Sequence, residues 1–395
     1  MAGRRPSPAE EGKATSLEQL LATREIVIAC GSGGVGKTTT AAAAGAMAAI
    51  KHDGKVLVLT VDPAKRLANA LGLSGFGNVA KRVPTQAFVD AGVAPRGQLW
   101  AAMLDTKQSW DNLVLRHAPD EGTARRILDN PLYQNITGRF VQSHEYIAME
   151  RLYELHTDGD YDLIVVDTPP TRNAIDFLEA PQRMEDFFKS RLLRMLTVPY
   201  RSRLVNFASK PFYTVADRIL GSQFLEQIAE FFILFQTMGP GFIERAEAVT
   251  RLLHDRRTTF VVVTTLEAAP AHEAEYFIDV LAKMQFHLGA VVLNKVLPAY
   301  LRAEAGTVIA EHLVADAASL GKELADLAGG DEAQVERVLQ EVAESFLRFQ
   351  VVAQREADEQ ASLGRIPDVV ATVPYFDTDI YDLAGLLRLG EEIWS

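Results

Sequence analysis

A single cysteine, Cys30, stands among 395 residues. One thiol excludes an intrachain disulfide framework and any intrachain site built from two or more thiolates. It also suits a reducing compartment. No uninterrupted apolar run reaches the ~18 residues of a spanning helix. The opening Met1-Ala2-Gly3-Arg4-Arg5-Pro6-Ser7-Pro8 carries two arginines, yet no apolar stretch follows until about Leu17, so no secretory leader is expected. Basic charge is in deficit: 40 Lys and Arg against 52 Asp and Glu, a formal net charge of −12. Nucleic-acid binders usually present a basic face, so no nucleic-acid partner is expected. The chain has no internal repeat and no low-complexity tract. A cytoplasmic location is the simplest expectation.

What is present is apolar and organised. Hydrophobic residues make up 48% of the chain, enough for a large core, and the length suits two or three domain-sized units. Short β-branched runs recur at Glu25–Cys30, Lys55–Thr60, Leu99–Leu104, Asp162–Val166, Thr259–Thr265, Ala290–Leu293 and Val369–Val373. Most are apolar throughout, as strands are when helices cover both faces of a parallel sheet. Helical segments separate them. The alternation predicts an α/β fold, a doubly wound and mostly parallel sheet. Residues 186–257 hold no convincing strand, and residues 301–361 are helix-like, with Asp331 placed to cap a helix after Gly329-Gly330. The expected division is a mobile tail at 1–16, core at 17–185, helical insertion at 186–257, core at 258–300, a helical segment at 301–361, and a last core strand and helix at 362–395.

The pattern G-x-x-x-x-G-K-[ST] is complete in Gly31-Ser32-Gly33-Gly34-Val35-Gly36-Lys37-Thr38. It follows an expected strand and opens an expected helix, the context this phosphate loop requires. Glycines let backbone N–H groups turn toward phosphate oxygens, and the helix N-terminus adds its positive end. Lys37 is placed to reach the β- and γ-phosphates and Thr38 to ligate Mg²⁺, with Gly33, Gly34, Val35, Gly36 and Thr39 completing the cradle for ATP. An ATP hydrolase is expected.

Three more strand ends carry polar residues, where ligands sit in open parallel sheets. Asp62, two residues past its strand, is either a carboxylate for the attacking water or a turn Asp before Pro63. Asp167 ends the Asp162–Val166 run and reads as the second acid, holding Mg²⁺ or its water, or else as a turn residue. Asn294 ends the Ala290–Leu293 run and either pairs with the adenine edge or closes a turn.

Together these segments resemble the ArsA-type P-loop ATPases, which include the arsenical-pump ATPase and the factor that delivers tail-anchored membrane proteins. The segments are GGVGKTT at 33–39, TVDPA at 60–64, DTPPTRNAIDFL at 167–178, VVLNK at 291–295 and TVPYF at 372–376, in the family's order. The resemblance implies that Asp62 lies in the first switch and serves the hydrolytic water. It implies that Asp167 and Thr171 lie in the second switch, and that Asn294 and the loop at Pro374 hold adenine. It further implies a dimer with nucleotide at the interface and a helical subdomain that handles a hydrophobic protein client. Ser32 departs from the family pattern, which has a lysine there that reaches the partner's phosphate. Either a heterodimer with a paralogue that keeps the lysine or a local base such as Arg172 would replace it. The single cysteine weighs against a thiolate-rich metalloid site, so an anion or metalloid pump subunit is the alternative reading, beside a weakly hydrolysing regulatory subunit.

Residues 187–219 hold Lys189, Arg191, Arg194, Arg201, Arg203, Lys210 and Arg218 against the single acid Asp217, interleaved with apolar side chains. The following Phe231-Phe232-Ile233-Leu234-Phe235 is apolar all round a helix. Such a helix is either core or a groove for a client helix, and the basic residues also allow peripheral membrane contact. His144-Glu145 reads as a solvated helical pair, and the helix beginning at Tyr381 as packed on the sheet.

Overall fold

The computed structural model describes residues 16–61, 66–73, 77–137, 143–191, 222–363 and 369–394. Its centre is one eight-stranded sheet in the order β3-β4-β2-β5-β1-β6-β7-β8. The strands are β1 Ile26–Cys30, β2 Lys55–Thr60, β3 Lys81–Arg82, β4 Gln98–Met103, β5 Leu163–Asp167, β6 Thr258–Thr264, β7 Leu288–Val296 and β8 Val369–Pro374. Seven expected strands are found within a few residues of their expected bounds. The two-residue β3 has no apolar pattern and was not expected; it pairs antiparallel with β4, while every other pairing is parallel.

Helices cover both faces, which explains the unbroken apolar strands. Alternate residues of each strand enter opposite cores. Ile26, Ile28 and Cys30 of β1 join one core, and Val27 and Ala29 join the other. The second core lies under α1 (Leu17–Thr23), α2 (Lys37–Lys51), α3 (Arg66–Ala70), α4 (Thr85–Asp90) and the last helix, Leu383–Trp394. The last helix buries Leu383, Leu386, Leu387, Leu389 and Ile393 there, as its apolar spacing suggests.

The first core lies under α5 (Thr106–His117), α6 (Glu121–Leu128), α7 (Pro131–Thr137), α8 (Ser143–Thr157), α9 (Thr171–Lys189), α10 (Ser222–Thr237), α11 (Gly239–His254) and α12 (Ala268–Lys283). Within 186–257 the described residues are helical or in short connections. Phe231, Leu234 and Phe235 of α10 are buried, stacked among Phe188, Phe242 and Trp110, while Phe187, Phe232 and Ile233 are half-buried. The all-round apolar helix is thus mostly core. Arg194, Arg201, Arg203, Lys210 and Arg218 lie outside the described residues; Lys189 pairs with Glu185 on its own helix.

One expectation fails on this face. Glu145 is buried rather than solvated, because α8 is wedged against α9 and α11. Burial pushes its carboxyl up, with the Asp176 charge adding to the effect and its own backbone N–H and Arg183 opposing it. One turn on, Glu150 is buried as well, and Arg245 of α11 answers it with Nε at 2.7 Å and Nη2 at 2.6 Å from Oε1.

After β7 a 3₁₀ turn (Ala299–Arg302) leads into α13 (Glu304–Ala315), α14 (Ala317–Ala328) and the 32-residue α15 (Glu332–Leu363). Gly329 closes α14 in the left-handed region, at φ 70°. Asp331 Oδ1 accepts from Ala333 N at 2.9 Å, the cap that Gly-Gly-Asp suggests. No helix of the described residues is long and apolar enough to cross a membrane.

Candidate functional site

The central strand β1 ends between β5 and β6, where the chain's path through the sheet changes direction. Crevices of this kind, at the carboxyl ends of strands, take ligands. The loop from Gly31 to Gly36 fills the crevice. Two of its glycines are required for different reasons. A Cβ on Gly31 would overlap the carbonyl oxygen of Val263 at the end of β6. Gly36 has φ +95°, the left-handed region, and a Cβ there would also overlap Asn294 Nδ2.

Between these fixed ends the loop is open. Gly33 and Gly34 are exposed, and among the described residues nothing lies within 4 Å of where their Cβ atoms would be. Val35 is the anchor, 1% exposed. Helix α2 starts at Lys37 with Gly36 as its cap and no capping side chain. The amides of a first turn have no intrahelical acceptors, so they and the helix dipole favour an anion at this end. Lys37 is buried, and its Nζ donates to Ser32 O at 2.7 Å. Thr38 and Thr39 are half-buried on the same turn. A cradle open at its glycines, with a buried lysine beneath, fits the phosphates of ATP.

The floor is tied by hydroxyls. Thr60, the last residue of β2, donates from Oγ1 to Asp167 Oδ2 at 2.9 Å. Val61 N donates to Asp167 O at 3.1 Å. Thr168 Oγ1 donates to Ala29 O at 2.8 Å. The carboxyl ends of β2, β5 and β1 are thereby held together. Asp167 is fully buried. Cys30 lies in this floor; burial pushes its thiol up to about 12, with Thr168 and the Lys37 charge opposing and the Asp167 charge adding.

Asn294 closes the other side. β7 bulges after Leu293 against β8, and Lys295 takes φ +59°. The Asn294 side chain is buried, its Nδ2 donating to Val35 O at 2.8 Å and its Oδ1 accepting from Lys295 N at 3.0 Å. Pro374, at the end of β8, is paired with Val296, and Tyr375 N donates to Val296 O at 3.0 Å. The ends of β7 and β8 therefore sit side by side at the rim.

The structure thus brings the phosphate loop, Lys37, Asp167 and Asn294 into one site. Thr171 begins α9, and its side chain lies outside the described residues, as does Asp62. Sequence reasoning did not single out Thr60 and Thr168. Both are hydroxyls at the end of an apolar strand, the position that had already drawn attention to Asp167.

Residues 24–312 match the ArsA family, the anion-transporting ATPases. The chain belongs to this family. It is an ATP hydrolase. Relatives include an ATPase ASNA1 homolog of Entamoeba dispar, 24% identical over 296 residues that cover 72% of this chain and 80% of the relative. ATPase GET3 of Podospora anserina is 25% identical over 292 residues, 71% of this chain and 76% of its own. ATPase BagA of Mycobacterium tuberculosis is 26% identical over 242 residues, 59% of this chain and 53% of its own. The family match ends within α13, so α14 and α15 lie beyond it.

Proposed function

We propose that this ATPase is a Mg²⁺-dependent dimeric switch that couples ATP hydrolysis to the handling or targeting of a hydrophobic protein client. The observation that carries the reading is α9. It leaves the crevice three residues after Thr168 and ends 19 residues later, about 28 Å away, with Phe187 and Phe188 among the rings of Phe232, Phe235 and Phe242. One element therefore leads from the chain just past the nucleotide floor to the aromatic layer. The half-buried rings of Phe187 and Phe232 give that layer a partly open apolar face toward a client helix.

In this mechanism the loop amides and Lys37 hold the β- and γ-phosphates. Thr38 and Asp167 would hold Mg²⁺, which supplies positive charge against the phosphate oxygens when bound. Asp62 orients water and takes its proton as the oxygen bonds to the γ-phosphorus and the bond to the β-phosphate oxygen breaks, giving ADP and phosphate. Departure of phosphate frees the segment around Thr171, and α9 carries the change outward. Asn294 and the loop at Pro374 take the adenine edge. Ser32 offers no charge to a neighbouring subunit, which favours a heterodimer with a paralogue carrying lysine there over a fully active homodimer. The cytoplasm is the compartment this reading implies. An anion-pump subunit would need ligands other than thiolates, since Cys30 is the only cysteine and is buried.

The test uses the full chain and a fluorescent apolar helical peptide of about 20 residues, the length of a spanning segment. With Asp62→Asn and Mg·ATP, peptide affinity is expected to rise at least about tenfold over the nucleotide-free protein, and Lys37→Ala should abolish the difference. Identical peptide binding in all nucleotide states would remove the client reading. ATP turnover that survives Lys37→Ala would remove the mechanism.

A further inference from the structure

Helix α15 touches the 3₁₀ turn and α12, with Glu356 accepting from Leu297 N at 2.9 Å and Ser362 Oγ donating to Glu275 Oε1 at 3.2 Å. It packs on α13, where Gly306 faces the Phe346 ring, and on α14, where Gly321 faces Glu336. Ala343 and Ala353 are buried, and Leu363 joins the first core. A second stripe faces solvent. Val338, Val342, Phe349 and Val352 are 51%, 60%, 51% and 44% exposed. With Ser345 between them, their spacings are 4, 3, 4 and 3 residues, the repeat of a two-helix seam. At 100° per residue the five positions fall within about 80° of one another on the helix. Four large apolar groups in register on an exposed helix form a patch, unlike scattered surface residues.

The charges beside the stripe say what covers it. On one side lie Leu339 and Phe346, half-buried, and Ala353, buried, with the Phe346 ring against Gly306 of α13; none of the three side chains has a polar group. On the other side lie Glu341 and Arg348, both exposed and seven residues apart. A second copy of α15 running antiparallel, related by a two-fold axis, stacks Val338 on the other copy's Phe349 and Val342 on its Ser345. The same operation then repeats both layers. In that register Glu341 of each copy meets Arg348 of the other, twice. A parallel arrangement would set each of these charges against Leu339, Phe346 or Ala353. Among the described residues Arg348 reaches only Glu344 on its own helix, at 3.6 Å with both side chains more than half exposed. Such a contact is worth little and leaves Arg348 free to turn to a partner.

We propose that the exposed face of α15 is a self-association surface, on which two copies of this chain pair antiparallel through Val338, Val342, Ser345 and Phe349, in register by Glu341 and Arg348. The seam from Val338 to Phe349 spans about 17 Å, short of a standard interface of about 800 Å² per partner. The pairing is accordingly weak, with dissociation in the micromolar range. It uses no part of the nucleotide crevice and does not depend on the functional reading above.

Sedimentation equilibrium of the full chain without nucleotide, over about 1–100 μM, tests it. The wild type is expected to show a monomer–dimer equilibrium. Glu341→Arg and Arg348→Glu should each weaken it at least about tenfold, by setting like charges together. The double variant Glu341→Arg/Arg348→Glu should return to within about threefold of wild type, and Phe349→Glu should leave monomer. Circular dichroism and ATP turnover per chain should be unchanged, since all these side chains are exposed. A wild type that stays monomeric, or that dimerises only with nucleotide, overturns the proposal. So does a dimer indifferent to the single reversals, or a double variant no better than the singles.

Discussion

Asn294 and Val35 are 259 residues apart in sequence and joined by one hydrogen bond, Nδ2 to carbonyl oxygen at 2.8 Å. The bond fastens the end of β7 to the buried corner of the phosphate loop. Removing a donor from a buried carbonyl costs about 1–3 kcal/mol. Asn294→Ala is therefore expected to weaken nucleotide binding about tenfold or more. The loss should be equal for ATP, GTP and inorganic triphosphate if the residue acts by holding the loop. If it acts by contacting the base, affinity for triphosphate should be untouched. Isothermal titration with the three ligands separates the two roles.

Gly36 carries a double constraint, its φ of +95° and the closeness of Asn294. Gly36→Ala should abolish ATP turnover and lower stability by about 1–3 kcal/mol from backbone strain and overlap. In an Asn294→Ala background the overlap is gone and only the strain remains. The stability cost of Gly36→Ala should then be smaller, which a double-mutant cycle in urea would read. An equal cost in both backgrounds would mean the amide exerts no steric effect.

The pair Glu150–Arg245 is enclosed between α8 and α11, with the Arg245 guanidinium also 4.3 Å over the Tyr153 ring. Arg245→Ala leaves a buried carboxylate without its counter-ion and is expected to cost about 3–5 kcal/mol. Glu150→Leu with Arg245→Met should cost far less, because neither charge is then buried alone. Equilibrium unfolding at pH 7.5 measures both.

Among the described residues Glu145 has no such cation in bonding range, and its buried Oε2 has no hydrogen-bond partner. Its folded-state pKa lies above the ordinary 4.5. The folded protein therefore binds this proton more tightly than the unfolded chain does. The protonated form's contribution to stability is present at low pH and is lost as pH rises from about 4.5 through the raised value. Glu145→Gln should remove that loss. The melting temperature is expected to rise at pH 8, and the gain should shrink toward pH 4.5. A gain that is constant with pH would assign the effect to something other than ionisation.

Cys30 is fully buried, with its thiol pushed up to about 12. Reaction needs an exposed thiolate, so the native protein should not react with a thiol reagent at pH 8. The rate of labelling should match the rate of unfolding read by fluorescence. Because Cys30 is the single thiol, the readout needs no background correction. Fast labelling of the native protein would place the floor of the crevice in contact with solvent.

These residues also show how much the sequence reveals. The phosphate loop was legible because its spacing is local, and Gly31 and Gly36 each have a backbone reason. The strands were legible because burial on both faces leaves runs without alternation, as in Val56–Leu59 and Leu163–Val166. β3 was not, since two charged residues at a sheet edge carry no periodicity. The Asn294–Val35 bond was hidden because nothing local announces a contact across 259 residues. Glu145 was misjudged for a related reason. A polar pair in a helix looks solvated until the packing of α9 and α11 is known. The apolar run at 231–235 fell between, since Phe231 and Phe235 are core while Phe232 is only half enclosed.

The last helix, Leu383–Trp394, lies against α2, with Gly390 at the Met47 side chain. The rod that starts at the phosphate loop is thus made early in translation but gains its outer cover only when residues more than 330 positions downstream have left the ribosome. Until then its alanine-rich flank is bare, and a nascent chain is open to aggregation or to chaperone capture throughout that interval.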